Sequence, residues 1–318
     1  MTYHDWLIFM LRGKTKISKS VSTHNIRVCL NMMVKGYIKL LSVFIFTFFI
    51  FIVMFMIYYT YSGKSNLTGT SVHYKRRYTI TSDIDIAILI PSTTRTMKSP
   101  KLEKLSLMIF CLPSIVATME SVYNYTVYIG IDKGDYLRTV EAKILHKFPF
   151  VKSVHVEGGT FTKAVNQIAK VAYNDSMTYF VRINDDTEFV TTNWASDGIQ
   201  TLRNYVPSNV GVVGPNCKHG NQHILTHDMV HRTHLDIFHY YYPPEFENWW
   251  ADDWITNVYK PNRSTKSKTW AVHHKMIHGT RYAINVATSK RLLKISSIDK
   301  RILDRYIGFM STNSTHDI

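Results

Sequence analysis

Residues Thr178–Phe189 read TYFVRINDDTEF. Asn184, Asp185 and Asp186 end an apolar run with three oxygen-bearing side chains, and Glu188 follows. Carboxylates crowded in this way repel one another unless a cation lies among them. Hard oxygen ligands of this kind suit magnesium or manganese, which share their coordination with substrate phosphates. A second group is Pro243–Thr256, PPEFENWWADDWIT, where Trp249, Trp250 and Trp254 bracket Asp252 and Asp253. Sugars stack on tryptophan faces, and apolar walls raise a nearby carboxylate's pKa towards that of a useful base. Adjacent residues on a helix point about 100° apart, so only one of the two aspartates enters such a site. A third group, His273, His274 and His278, lies on a predicted strand, TWAVHH, and the loop after it. Neutral imidazole suits manganese better than magnesium. His227, His231 and His234 show helical spacing, which predicts an acceptor-side helix with a polar face.

These side chains need a scaffold. Tyr179, Phe180, Val181 and Ile183 predict a buried strand that delivers Asn184–Asp186 at its carboxyl end, where open α/β sheets bind their ligands. Ile86–Pro91 predicts an earlier strand that runs into the polar loop Ser92–Lys98. Leu102, Leu105, Met108 and Ile109 then fall on one face of a predicted helix reaching about Tyr123. Thr126–Ile131 predicts a strand closed by Asp132, and Val151–Val156 another. Phe161–Tyr173 has helical spacing through Ala164, Val165, Ile168, Ala169 and Ala172. Strands alternating with helices predict βαβ units, hence an α/β fold with a mostly parallel central sheet and flanking helices.

The order of these pieces resembles the nucleotide-sugar glycosyltransferases of the GT-A fold over roughly residues 83–285. The resemblance is strongest in Phe161–Phe189, before the acidic motif. Here Asn184 stands where that family's Asp-x-Asp motif has its first aspartate. By this resemblance Asp186 would bind the metal directly, and Asn184 and Asp185 would hold the donor's ribose or the metal's waters. Asp132 would contact the nucleoside, Thr93 and Arg95 would lie near the base or diphosphate, and Asn166 would face the donor. One of His273, His274 and His278, with His274 first, would complete the metal site. By similarity to inverting members, Asp253 would deprotonate the acceptor hydroxyl, and Asp252 would bond the acceptor or cap the helix. Trp249, Trp250 and Trp254 would receive the acceptor. The expected activity is metal-dependent transfer of a hexosyl or N-acetylhexosaminyl group from a nucleotide-sugar to a glycan or glycoprotein. Manganese is expected ahead of magnesium. The alternatives are a catalytically inactive glycan-binding relative and a sugar nucleotidyltransferase. The second is disfavoured because Ser92–Arg95 lacks the Gly-rich nucleotide loop.

The 318 residues carry a formal net charge of +15. With no arginine-rich run, zinc-ligand spacing or RNA-binding aromatic motif, that charge does not predict a nucleic-acid partner. Three scattered cysteines exclude a disulfide scaffold, while leaving a Cys111–Cys217 pair open. Residues 1–39 form a basic tail expected in the cytosol. The uncharged run Leu40–Tyr59 predicts a transmembrane helix over residues 40–60. Residues 61–82 read as a polar stem, and 83–318 as the catalytic domain. N-x-S/T triplets at Asn66, Asn124, Asn174, Asn262 and Asn313 all follow the span. They favour a single-pass type II protein facing the lumen of the Golgi or endoplasmic reticulum.

Overall fold

The computed structural model describes residues 83–275 and 286–313, together with residues 47 and 48. Arg76–Ile318 forms one compact unit, to which residues 83–275 and 286–313 belong.

The first strand shows why the sheet forms. In β1 (Asp85–Ser92) every residue after Asp85 is buried. Ile86, Ile88 and Ile90 enter the core on one face of the sheet, while Ala87 and Leu89 enter the core on the other. A strand covered on both faces reads as a continuous apolar run rather than an alternating one. Each large apolar side chain contributes roughly 1.5–3 kcal/mol on burial. That offsets the ~1–2 kcal/mol per residue needed to order the backbone.

β2 (Asn124–Asp132), β3 (Val151–Val156) and β4 (Tyr179–Arg182) join β1 in parallel, in the order β3-β2-β1-β4. β1 pairs with both β2 and β4, so the order reverses there and leaves a crevice beyond their carboxyl ends. The sheet continues through β7 (Asp228–His231), β6 (Val212–Lys218), β8 (Ser264–His274) and β5 (Thr187–Phe189). Here β4/β7, β6/β7 and β5/β8 are antiparallel and β6/β8 is parallel. The sheet is therefore mixed but mostly parallel: six of its eight strands run one way, and β5 and β7 run against them. The βαβ alternation governs only its first half.

One face is covered by α1 (Leu112–Thr118), α2 (Tyr136–Lys147) and α4 (Trp194–Arg203). The other is covered by α3 (Phe161–Asn174), α5 (Thr233–Phe238), α6 (Ala251–Tyr259) and α7 (Val286–Asn313). The single helix expected up to Tyr123 is broken into a 3₁₀ turn (Leu102–Lys104), a π-helical stretch (Leu107–Cys111) and α1. Pro113, in the first turn of α1, has no N–H with which to continue a preceding α-helix. Instead Leu112 N–H bonds back to Leu107 O across five residues. The helix expected around His227, His231 and His234 is also corrected. His231 ends strand β7, His227 precedes it, and only His234 is helical.

The expected membrane placement is corrected as well. Among the described residues no helix is long and apolar enough to cross a membrane. The long helix α7, 28 residues, carries Lys290, Arg291, Lys294, Lys300, Arg301 and Arg305 along its length. The run Leu40–Tyr59 lies outside the described residues apart from 47 and 48. The type II, lumenal assignment is not retained.

Candidate active site at the carboxyl ends of β1 and β4

Where β4 ends, the chain passes through Asn184, Asp185 and Asp186 before starting β5, and both aspartates are buried. Asp185 is tied to the neighbouring strand end: Ser92 Oγ donates to its Oδ2 at 2.6 Å. Asp186 faces β8 instead. Its Oδ1 lies 3.0 Å from His274 Nε2, and the Asn184 amide nitrogen is 3.4 Å from the same ring nitrogen. The antiparallel register sets this meeting, since His274 pairs with Thr187 and Lys275 N–H donates to Asp186 O at 3.0 Å.

Alternation along β8 sends His273 to the opposite face. There it lies 3.3 Å from Glu188, whose carboxylate also takes Lys275 Nζ at 2.6 Å. His273 is therefore not brought to Asp186, and His278 lies outside the described residues. Behind His274 sits the buried ring of His227, edge-on at 5.6 Å and bonded to Thr187 Oγ1 at 2.7 Å. Burial, then the charge of Arg182, holds the His227 pKa well down.

Among the described residues no three His, Cys, Asp or Glu side chains converge into a complete metal cluster. The donors that do converge are a carboxylate and an imidazole, while the Asn184 amide turns its nitrogen to His274 and its oxygen to Arg182. Two adjacent ligands, each about 2.1 Å from an octahedral ion, stand ~3 Å apart, and Asp186 Oδ1 and His274 Nε2 have that separation. The set fits a divalent cation that takes its remaining ligands from substrate phosphates and water.

A second wall comes from the loops after β1 and β2. Asp135 caps α2 through Leu137 N–H and also binds Thr93 and Thr94, locking the two loops together. Arg95 pairs with Asp132 at 2.7 Å. Thr93, Arg95 and Asp132 thus stand together, on a frame whose centre, Asp135, is not marked by any motif.

The third wall is organised by Arg182, which sequence reading did not single out. Its pair with Asp228, at 3.0 Å, is wholly buried. Arg182 Nε donates to Tyr242 OH at 2.7 Å, and both Tyr241 and Tyr242 donate to Asp228 at 2.6 Å. Burial alone would lower the Arg182 pKa, but Tyr242 and Asp228 keep it raised and the guanidinium charged. Its Nη1 also reaches Asn184 Oδ1 at 3.4 Å.

Asn166 serves the same wall. Its Oδ1 accepts from Tyr241 N–H and Tyr242 N–H, and its amide donates to Tyr242 O, so it clamps the 241–242 backbone rather than facing a donor.

Asp252 and Asp253 begin α6, entered through Trp250 at φ 75. Both are partly exposed. Asp252 is the one coupled to Arg182; burial, partly countered by Arg182 and reinforced by Asp253, lifts its pKa to about 6. Asp253 is raised by burial and senses Lys260 instead. Trp254 is corrected from acceptor platform to core residue: it is fully buried, and its indole N–H bonds Asp299 at 2.9 Å. Trp249 and Trp250 remain partly exposed. Cys111 and Cys217 are both free and buried, so the disulfide left open by the sequence does not form.

Among solved structures, the chain is similar to GalNAc-T7 with UDP, GalNAc and Mn2+. The TM-score is 0.51 at 9% identity, over 66% of this chain and 48% of that one. It is also similar to S. aureus TarS 1-349 in complex with UDP-GlcNAc, with a TM-score of 0.47 and 12% identity, over 68% of this chain and 66% of that one. A third is the mannosyltransferase PcManGT from Pyrobaculum calidifontis with GDP-Man and Mn2+, with a TM-score of 0.45 and 10% identity, over 75% and 79%. The chain thus spans 48% of the length of GalNAc-T7 and 66% of the TarS fragment. No protein-family model and no curated sequence matches it. At 9% identity the likeness to GalNAc-T7 shows the fold alone, and the mixed α/β sheet with flanking helices is consistent with a GT-A arrangement.

Proposed function

We propose that the chain is a metal-dependent glycosyltransferase that moves a sugar from a nucleoside-diphosphate donor to a hydroxyl of a glycan or glycoprotein. The observation that carries this reading is the Asp186–His274 pair at the reversal point of the sheet. The UDP and Mn2+ found with GalNAc-T7 support it.

In this reading Asp186 and His274 would hold the cation, and Asn184, bonded to Arg182, stands beside them. When bound, it neutralises charge developing on the departing diphosphate. Ser92 fixes Asp185 at the carboxyl end of β4, beside the proposed donor site. Thr93, Arg95 and Asp132, braced by Asp135, frame the nucleoside. Asp252 takes the acceptor's proton, because it, rather than Asp253, lies on the Arg182 side of α6 and holds a pKa near the working range of a base. The acceptor oxygen attacks the anomeric carbon as the bond to the diphosphate breaks, which inverts the configuration. Trp249 and Trp250 flank the acceptor.

The full chain, incubated with a panel of nucleotide-sugars, should release nucleoside diphosphate from one donor only when manganese is present. Asp186→Ala should abolish that release. Silence across the panel, with glycan acceptors added, would overturn the reading. Glycan binding indifferent to manganese and to Asp186→Ala would instead identify an inactive relative.

A further inference from the structure

Outside the site just described, the helical face of α3 opposite α5 borders a cavity of about 1110 Å³. That is larger than the ~300–1,000 Å³ of a typical small-ligand pocket. Its α3 wall runs from Lys163 to Asn174, about 16 Å of helix at 1.5 Å per residue, so the space is elongated. Two lysines, Lys163 and Lys170, face two carboxylates, Asp236 and Glu247, and the fixed charges balance within a chain of formal net charge +15.

The aromatic side chains of the cavity are braced. Tyr240 stacks on Phe238, with interplanar angle 19°, and packs on Trp254, while Tyr173 OH donates to Asp236 at 2.5 Å. A fixed aromatic surface bordered by equal numbers of cationic donors and anionic acceptors matches a neutral, hydroxyl-rich chain. A polyanion would meet the two carboxylates.

The Glu247 end of the cavity is linked by contacts to the Arg182 wall of the candidate active site. At its Glu247 end, Thr162 N–H bonds Glu247 O, and Phe161 N–H bonds Asn248. The Phe161 ring in turn stacks on Tyr242 and lies 5.5 Å from the Arg182 guanidinium. Asp252 follows Glu247 by five residues, at the start of α6.

We infer that this cavity binds the distal residues of a neutral oligosaccharide acceptor. The inference rests on the glycosyltransferase reading for the word acceptor, while the binding itself is measurable without turnover. The full chain is titrated calorimetrically with neutral linear hexasaccharides: chitohexaose, maltohexaose and mannohexaose. The same titration is run on the surface variants Lys163→Ala/Lys170→Ala and Glu247→Ala. Binding of one hexasaccharide, weaker by at least about tenfold in both variants, is the expected result. No binding of any of them, binding unaltered by the variants, or preference for a sulfated oligosaccharide would overturn it. Manganese-dependent donor cleavage, measured in parallel without acceptor, should be unchanged in the variants. Its absence in the parent chain would count against the catalytic reading alone.

Discussion

Nε2 of His274 lies 3.0 Å from Oδ1 of Asp186, and the β5/β8 ladder that sets this distance turns His273 the other way. His274→Ala should therefore raise the manganese concentration for half-maximal donor cleavage by roughly tenfold or more, a loss of the size seen when groups supporting a metal site are removed. His273→Ala should leave it unchanged. A manganese titration of nucleoside diphosphate release compares the two, and equal effects would show that the ladder does not select the ligand.

Asp252 and Asp253 are separated by their surroundings. Asp252→Asn should cut turnover by about 10²–10⁴-fold, the contribution of a general base, whereas Asp253→Asn should retain most of it. The parent's rate should fall on the acid side with an apparent pKa near 6, following Asp252. Finding the larger loss in Asp253→Asn would reverse the assignment.

The same group predicts a stability change. The folded protein keeps the Asp252 proton up to about pH 6, while the unfolded chain releases it near the ordinary value of 3.8. Between those values the folded form binds more protons, so this contribution is fully present below the lower value and is lost as pH rises through the upper one. Asp252→Asn cannot ionise and should escape that loss. Its melting temperature relative to the parent should rise on going from pH ~4 to ~7.5; a constant difference would refute the shift.

Removing one member of the Arg182–Asp228 pair leaves the other charged and buried. Asp228→Ala should cost about 3–5 kcal/mol, the range for breaking a buried pair from one side. Arg182→Met with Asp228→Leu should cost less than the two single losses combined. Denaturant midpoints measure all of these, and simple additivity would mean the two are not coupled.

Cys111 and Cys217 should resist a thiol reagent in the native protein and react only after denaturation, since burial both hides them and raises their pKa values. Peptide mapping without reductant that finds them joined would contradict the structure.

The parallel half of the fold was legible because its strands are apolar, buried on both faces and separated by periodic helices. Val151–Val156 was read to its ends, and Phe161–Tyr173 to within one residue of α3. Of the remaining strands, the end of β8, TWAVHH, was legible, but β5 and β7 were not, because they have three and four residues, too short for a pattern to show. For the site, Asp185 and Asp186 stood out by chemistry, while His274 came from the family resemblance. Arg182 did not, since an arginine in a strand reads as an exposed residue until its partner, 46 positions later in the chain, is found. Trp254 failed for the opposite reason: sequence shows that a tryptophan is near an aspartate, but not that α6 turns it into the core beside Phe238 and Tyr240.

The buried cluster of Arg182, Asp228, Tyr241 and Tyr242 also constrains how this protein can diverge. Each polar atom in it answers another, so a single replacement passes through a poorly folded intermediate and selection removes it. Distant relatives should therefore either keep all four residue types or have exchanged them together for apolar ones. Losing the arginine would also remove the charge that holds the Asp252 pKa down, so a lineage that abandoned the cluster would carry a carboxylate that ionises at a higher pH.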